Sequence, residues 1–184
     1  MKGRIGMFTV LLAVAAMTAA AQQPHQHGGG ASAPPAAAVL RTGLGNHHHW
    51  IKTTSPEAQT FFDQGLTLVY GFNHGGAIRM FRRAAELDPN APMPLWGVAL
   101  ALGPHINNPD VDPDSEKMAA ETVKQAQDLA ATHGTPRERA YIEALSARYS
   151  AEPTPDLRKL DEAYRQAMAR LAKQYPNDLD VQTL

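Results

Sequence analysis

Eight histidines and no cysteine set the side-chain chemistry open to this chain. Three of them stand in a row, His47, His48 and His49; His25 and His27 precede them, and His74 and His105 follow. Imidazole nitrogens suit Cu(II), Ni(II) and Zn(II), and three adjacent rings can offer two or more of them to one ion. Neighbouring residues do not converge unaided, so a polar linker of weak metal affinity competes as the explanation of the run. His74 closes the turn signal Tyr70-Gly71-Phe72-Asn73-His74, and His105 stands beside Asn107 and Asn108 in a second one. If those turns stack and the triple histidine reaches the same edge, His47, His48, His49, His74 and His105 make a pocket for Cu or Zn. Capping of its own turn, or a bond to a carbonyl, is the simpler role for His74.

Other constellations carry less. Asp110, Asp112 and Asp114 alternate and Glu121 takes the twelfth place, which imitates a calcium loop. Ser115 stands where glycine is required and Pro113 stiffens the loop, so capping by Asp112 and helix-dipole compensation by Asp114 and Glu116 explain these charges. There is no thiol, no serine in a strand-to-helix elbow and no phosphate loop after a strand, so no enzyme activity is expected. Arg79, Arg82 and Arg83 read as a solvated helix face, and Trp96-Gly97 as a close helix contact filled by indole.

The elements that must position these residues begin after a leader. Lys2 and Arg4, an apolar run from Gly6 to Ala16 and Ala19-Ala20-Ala21 form a secretory signal over residues 1–21, too short and alanine-rich for a membrane span. The chain is therefore expected to be exported, to the periplasm or outside the cell, and free of the membrane after cleavage. Seventeen Lys and Arg against eighteen Asp and Glu leave no basic stripe for nucleic acid, and loss of Lys2 and Arg4 makes the balance more acidic. Residues 22–45 are rich in His, Gly, Ala and Pro and read as a flexible linker. From residue 46 to 184 apolar residues recur at helical spacing between proline turns, which predicts an all-α domain.

Ser55-Pro56 opens a helix that runs to about Tyr70, and a second spans Gly76 to Leu87. A third is predicted from Pro92 to Leu102, a fourth from about Pro113 to Thr132 with Asp112 as cap, and a fifth from the Thr135-to-Glu138 capping box to about Tyr149. The sixth opens at Thr154-Pro155 and ends before Pro176, and Asp178 to Leu184 begins another. Counted from Gly65, Leu68 lies three residues on, Ala77 twelve, Phe81 sixteen, Ala84 nineteen and Pro89 twenty-four. These are tetratricopeptide (TPR) offsets, in which small residues let two helices approach and Phe61, Leu68 and Phe81 fill the rest. The expected architecture is a TPR-like α-solenoid of about three helix pairs plus the start of a fourth.

Ser55 to Gln59, Phe61 to Leu66, Tyr70 to His74, Trp96-Gly97 and Leu102-Gly103-Pro104 together resemble a family of uncharacterised secreted bacterial TPR proteins, over roughly Gly45 to Leu184. The resemblance implies a longer natural protein with further helix pairs and histidines, so the chain reads as truncated at its C-terminus. It departs from the family pattern at His105, where asparagine is usual, and at Gly75-Gly76. The function expected of such a solenoid is binding of a protein or peptide partner, through an inner face near Phe62, Leu66, Val69, Tyr70, Asn73 and Trp96. A transition-metal-binding protein or metalloenzyme built on the N-terminal histidine cluster and His74 is the alternative, and an uncapped last helix would allow self-association.

Overall fold

The computed structural model describes residues 37–150 and 155–184. The expected signal at 1–21 and the linker up to residue 36 lie outside the described residues. Those described form seven helices and no strand: α1 (Pro56–Tyr70), α2 (His74–Leu87), α3 (Met93–Leu102), α4 (Pro113–His133), α5 (Pro136–Ser146), α6 (Leu157–Gln174) and α7 (Leu179–Thr183). Each helix packs on the next in the chain, and α3 also touches α1 and α5.

Local chemistry explains the boundaries. The Ser55 hydroxyl accepts the Ala58 amide at 3.1 Å with Pro56 behind it, and Asp112 and Asp156 cap α4 and α6 in the same way. Asp112 thus serves as a cap, and Glu121 lies inside α4, so residues 110–121 form no calcium loop. The end of α1 is closed by Asn73 N donating to Leu68 O (2.8 Å) and Phe72 N to Val69 O (2.9 Å). That closure holds Phe72 at a φ of 56°, a left-handed conformation costing about 1–2 kcal/mol without glycine. Because the Asn73 side chain accepts from Gly76 N, α2 starts at His74 rather than at Gly76. In turn α5 stops at Ser146, short of the expected Tyr149, whose hydroxyl instead reaches back to donate to Ala99 O at 2.9 Å.

Five of the matched positions, Gly65, Leu68, Ala77, Phe81 and Ala84, are buried on α1 and α2, while Pro89 lies exposed beyond the end of α2. A Cβ at Gly65 or at Gly97 would come within 2.6 Å of the Phe81 ring, so one phenyl fills the gap between three helices. Gly97 therefore opens toward Phe81 rather than toward the indole. Trp96 lies on the other side, 6.3 Å from Phe62 and 5.5 Å from Tyr141 between ring centroids. The apolar helix α3 is buried nearly all round, as a central element must be.

Asp88 ties the approach to α1 to the end of α2. Its Oδ2 accepts Thr53 Oγ1 at 2.6 Å and Thr54 N at 2.8 Å, and Oδ1 accepts Asn90 N at 3.1 Å. Burial raises its pKa, but these donors outweigh burial and hold it below the usual carboxylate value. A carboxylate depressed in the folded state stabilises above its unfolded pKa, and that stability is lost as pH falls through the folded value. Asp88→Ala should cost about 2 kcal/mol at pH 7, and in urea titrations the difference between parent and variant should shrink as the pH falls through the folded value.

Candidate functional site

In extended backbone, residues i and i+2 face the same way and i+1 the opposite way. Residues 46–52 have no regular secondary structure and follow that rule. His47 and His49 turn toward Asp180, with His47 Nε2 3.0 Å from Oδ1 and His49 Nδ1 2.6 Å from Oδ2, while His48 Nδ1 pairs with Asp63 Oδ2 at 2.6 Å. The three adjacent imidazoles thus split between two carboxylates instead of sharing one ion.

The backbone of this arm is held by side chains from two helices. On α1, Gln59 Nε2 donates to His49 O at 2.8 Å, its Oε1 accepts Ile51 N at 3.1 Å, and Asp63 Oδ1 accepts His49 N at 3.0 Å. On α5, Glu138 Oε1 accepts Lys52 N at 2.7 Å. Upstream, within the expected linker, Gln64 brackets Arg41 by accepting its N–H and donating to its carbonyl, both at 2.9 Å. His49 is 2 % exposed, its ring 5.8 Å from Phe62 and 5.2 Å edge-on to Tyr141.

Two aspartates at the start of α7 complete the cluster. Asp178 caps that helix and accepts both Arg137 Nε (2.9 Å) and Nη2 (2.6 Å) on Oδ2. Asp180, 7 % exposed, accepts the Tyr70 hydroxyl at 2.6 Å. Its burial favours the neutral acid, yet the His49 and Tyr70 bonds and the neighbouring imidazoles prevail and depress its pKa. Burial, reinforced by Asp180, pushes the Tyr70 phenol far up, and burial beside Asp178 does the same to Tyr141.

Two buried polar atoms at this cluster have no well-aligned hydrogen bond. His47 Nε2 is close to Asp180 but poorly aligned, and the Tyr141 hydroxyl feels the Asp178 charge without hydrogen-bond alignment. Such groups cost about 1–3 kcal/mol each when left unsatisfied. An open cleft of about 590 Å³ lined by His47, His48, Arg137, Tyr175, Asp178 and Asp180 gives solvent access.

The expected composite pocket of five histidines does not form. His74 and His105 stack on each other, 3.9 Å between centroids and 13° from parallel, with Phe72 beside both rings. Among the described residues, the groups of three possible metal ligands include neither. Parallel rings offer an ion no shared focus. Burial, and then the His105 charge, lower the His74 pKa against an opposing bond to the Phe72 backbone. Between that lowered value and the unfolded one of about 6.5 only the unfolded chain takes the proton, so acidification through this window destabilises the fold. By NMR, His74 should titrate below 6.5, and its midpoint should rise in His105→Ala.

The expected partner face is also corrected. Phe62 and Leu66 are fully buried and Trp96 is 2 % exposed, because α2, α3 and the arm cover them. Phe62 and Tyr70 do meet the arm, through His49 and His47. Val69 is half-buried against the core, and Asn73 is spent on capping α2. Gln59, Asp63, Glu138, Asp178 and Asp180 were not singled out from sequence as site residues; the signals available were the i, i+2 spacing of His47 with His49 and of Asp178 with Asp180. No helix among the described residues is long and apolar enough to cross a membrane. Comparison of the chain with family models, with curated proteins and with solved structures finds no match.

Proposed function

We propose that this chain is an exported TPR-type scaffold whose first-helix face, formed by α1, α5 and α7, binds an extended peptide. One observation carries the reading: that face already holds an extended segment, residues 46–52, by its main chain. Gln59, Asp63 and Glu138 bond the amides or carbonyls of His49, Ile51 and Lys52, contacts available to any sequence in that conformation. The buried Ile51 and His49 side chains supply the selectivity. The TPR offsets and the sequential packing of helix pairs support the solenoid reading, in which odd-numbered helices line one face. Export rests on the pattern of residues 1–21.

The arm in cis competes with any partner at an effective concentration of the order of millimolar. Replacing Ile51, 6 % exposed, with serine removes an anchor of about 1.5 kcal/mol and should strengthen binding of a labelled peptide copying residues 40–54 roughly tenfold. Fluorescence anisotropy on the parent and on folded Ile51→Ser decides. If that variant shows no saturable binding at millimolar peptide, the reading is lost.

A further inference from the structure

We propose that His49, Asp178 and Asp180 bind one divalent first-row transition ion, with His47 beside it on the second oxygen of Asp180. One candidate ligand atom from each of the three lies within 4.8 Å of the other two. Ligand atoms each about 2.0–2.2 Å from one ion stand roughly 3.5 Å apart, a spacing that side-chain rotations reach from here. One imidazole with two carboxylates suits Zn(II), Mn(II) or Fe(II), whereas Ca(II) calls for an all-oxygen shell of six or more. The proposal does not depend on peptide binding.

Clustering alone would not carry this, because Asp178 and Asp180 already have hydrogen-bond partners. The unused atoms point further. Tyr141 is 1 % exposed and its hydroxyl lies beside Asp178 and Arg137 without a well-aligned hydrogen bond, and His47 Nε2, paired with Asp180 Oδ1 at 3.0 Å, is likewise poorly aligned for one. Polar atoms inside a protein are almost always well hydrogen-bonded, so two poorly aligned ones at one carboxylate cluster mark a place for an additional charged group. The surrounding shell is also built as metal sites build it. Tyr70 donates to Asp180, Arg137 donates twice to Asp178, and Gln59 holds the His49 carbonyl, all of which fix ligand orientation. The cleft beside His47 and Arg137 lets an ion enter.

His49 and Asp180 are 131 positions apart, so an ion here would clasp the arm to α7. The test uses the full exported chain, purified without affinity resin, stripped with chelator and titrated with Zn(II) by calorimetry at neutral pH. We expect a site of one equivalent, weakened at least about 100-fold by Asp180→Asn and unaffected by the double change His74→Ala with His105→Ala. A parent that takes up no stoichiometric Zn(II), or a folded Asp180→Asn chain that binds as tightly as the parent, overturns the proposal. X-ray absorption of the Zn-loaded parent decides even if that variant does not fold. A shell of one or two imidazoles with carboxylate oxygen supports it, and a shell of three or more imidazoles overturns it.

Discussion

Gly97→Ala is expected to destabilise the helical domain by about 1–3 kcal/mol, although glycine to alanine inside a helix normally gains up to about 1 kcal/mol. The overlap decides the sign. The new Cβ would sit 2.6 Å from Phe81, a ring with no exposed surface that Gly65 confines from the other side at the same distance. Phe81 lies between α1 and α3, 5.3 Å from the Phe62 centroid, and has no free volume into which to retreat. Gly65→Ala should behave alike, and Phe81→Leu should cost stability alone yet recover part of either loss. A double-mutant cycle by urea denaturation should therefore give a Gly97–Phe81 coupling of about 1 kcal/mol or more. A stabilised Gly97→Ala chain would contradict the α2–α3 spacing.

Glu138→Ala should cost about 2–3 kcal/mol and free the arm. This carboxylate is 3 % exposed and serves two structures at once, with Oε2 accepting Thr135 N to close the capping box and Oε1 accepting Lys52 N, both at 2.7 Å. Loss of the cap contributes about 1 kcal/mol and loss of a charge-assisted bond about 1.5–3, with water recovering part at the exposed Lys52. Glu138→Gln keeps an acceptor and should lose about half as much. Hydrogen exchange separates the two roles: the Lys52 amide should lose protection along with the first turn of α5, whereas Thr54, held by Asp88, should keep its own. Unchanged exchange at Lys52 would mean that α5 does not hold the arm.

Most of the helical framework was legible along the chain because helices are made by near neighbours. Ser55, Asp112 and Thr135 cap where their spacing said they would, and the Gly65-to-Pro89 offsets anticipated a tight α1–α2 contact, since periodicity and capping involve residues a few positions apart. The misplaced boundaries have tertiary or side-chain causes: Tyr149 leaves the helical path to reach Ala99, and Asn73 starts α2 early.

The site was legible only by half. His47 to His49 were visible as ligands in search of partners, but their carboxylates lie on α1 and at the start of α7, and nothing in the local pattern pairs residues that far apart. His74 and His105, equal candidates by composition, were diverted into a stack with each other. The inner face was misjudged for a related reason, because Phe62, Leu66 and Trp96 have the helical spacing of a groove lining and of a core alike, and only the covering by α2, α3 and the arm distinguishes them. The sequence by itself thus determined the order of the helices, most of their caps and which helix pair packs closely. Tertiary structure decided which histidine meets which aspartate, because that depends on α1, α5 and α7 converging on one extended segment, a long-range packing event that no short-range spacing encodes.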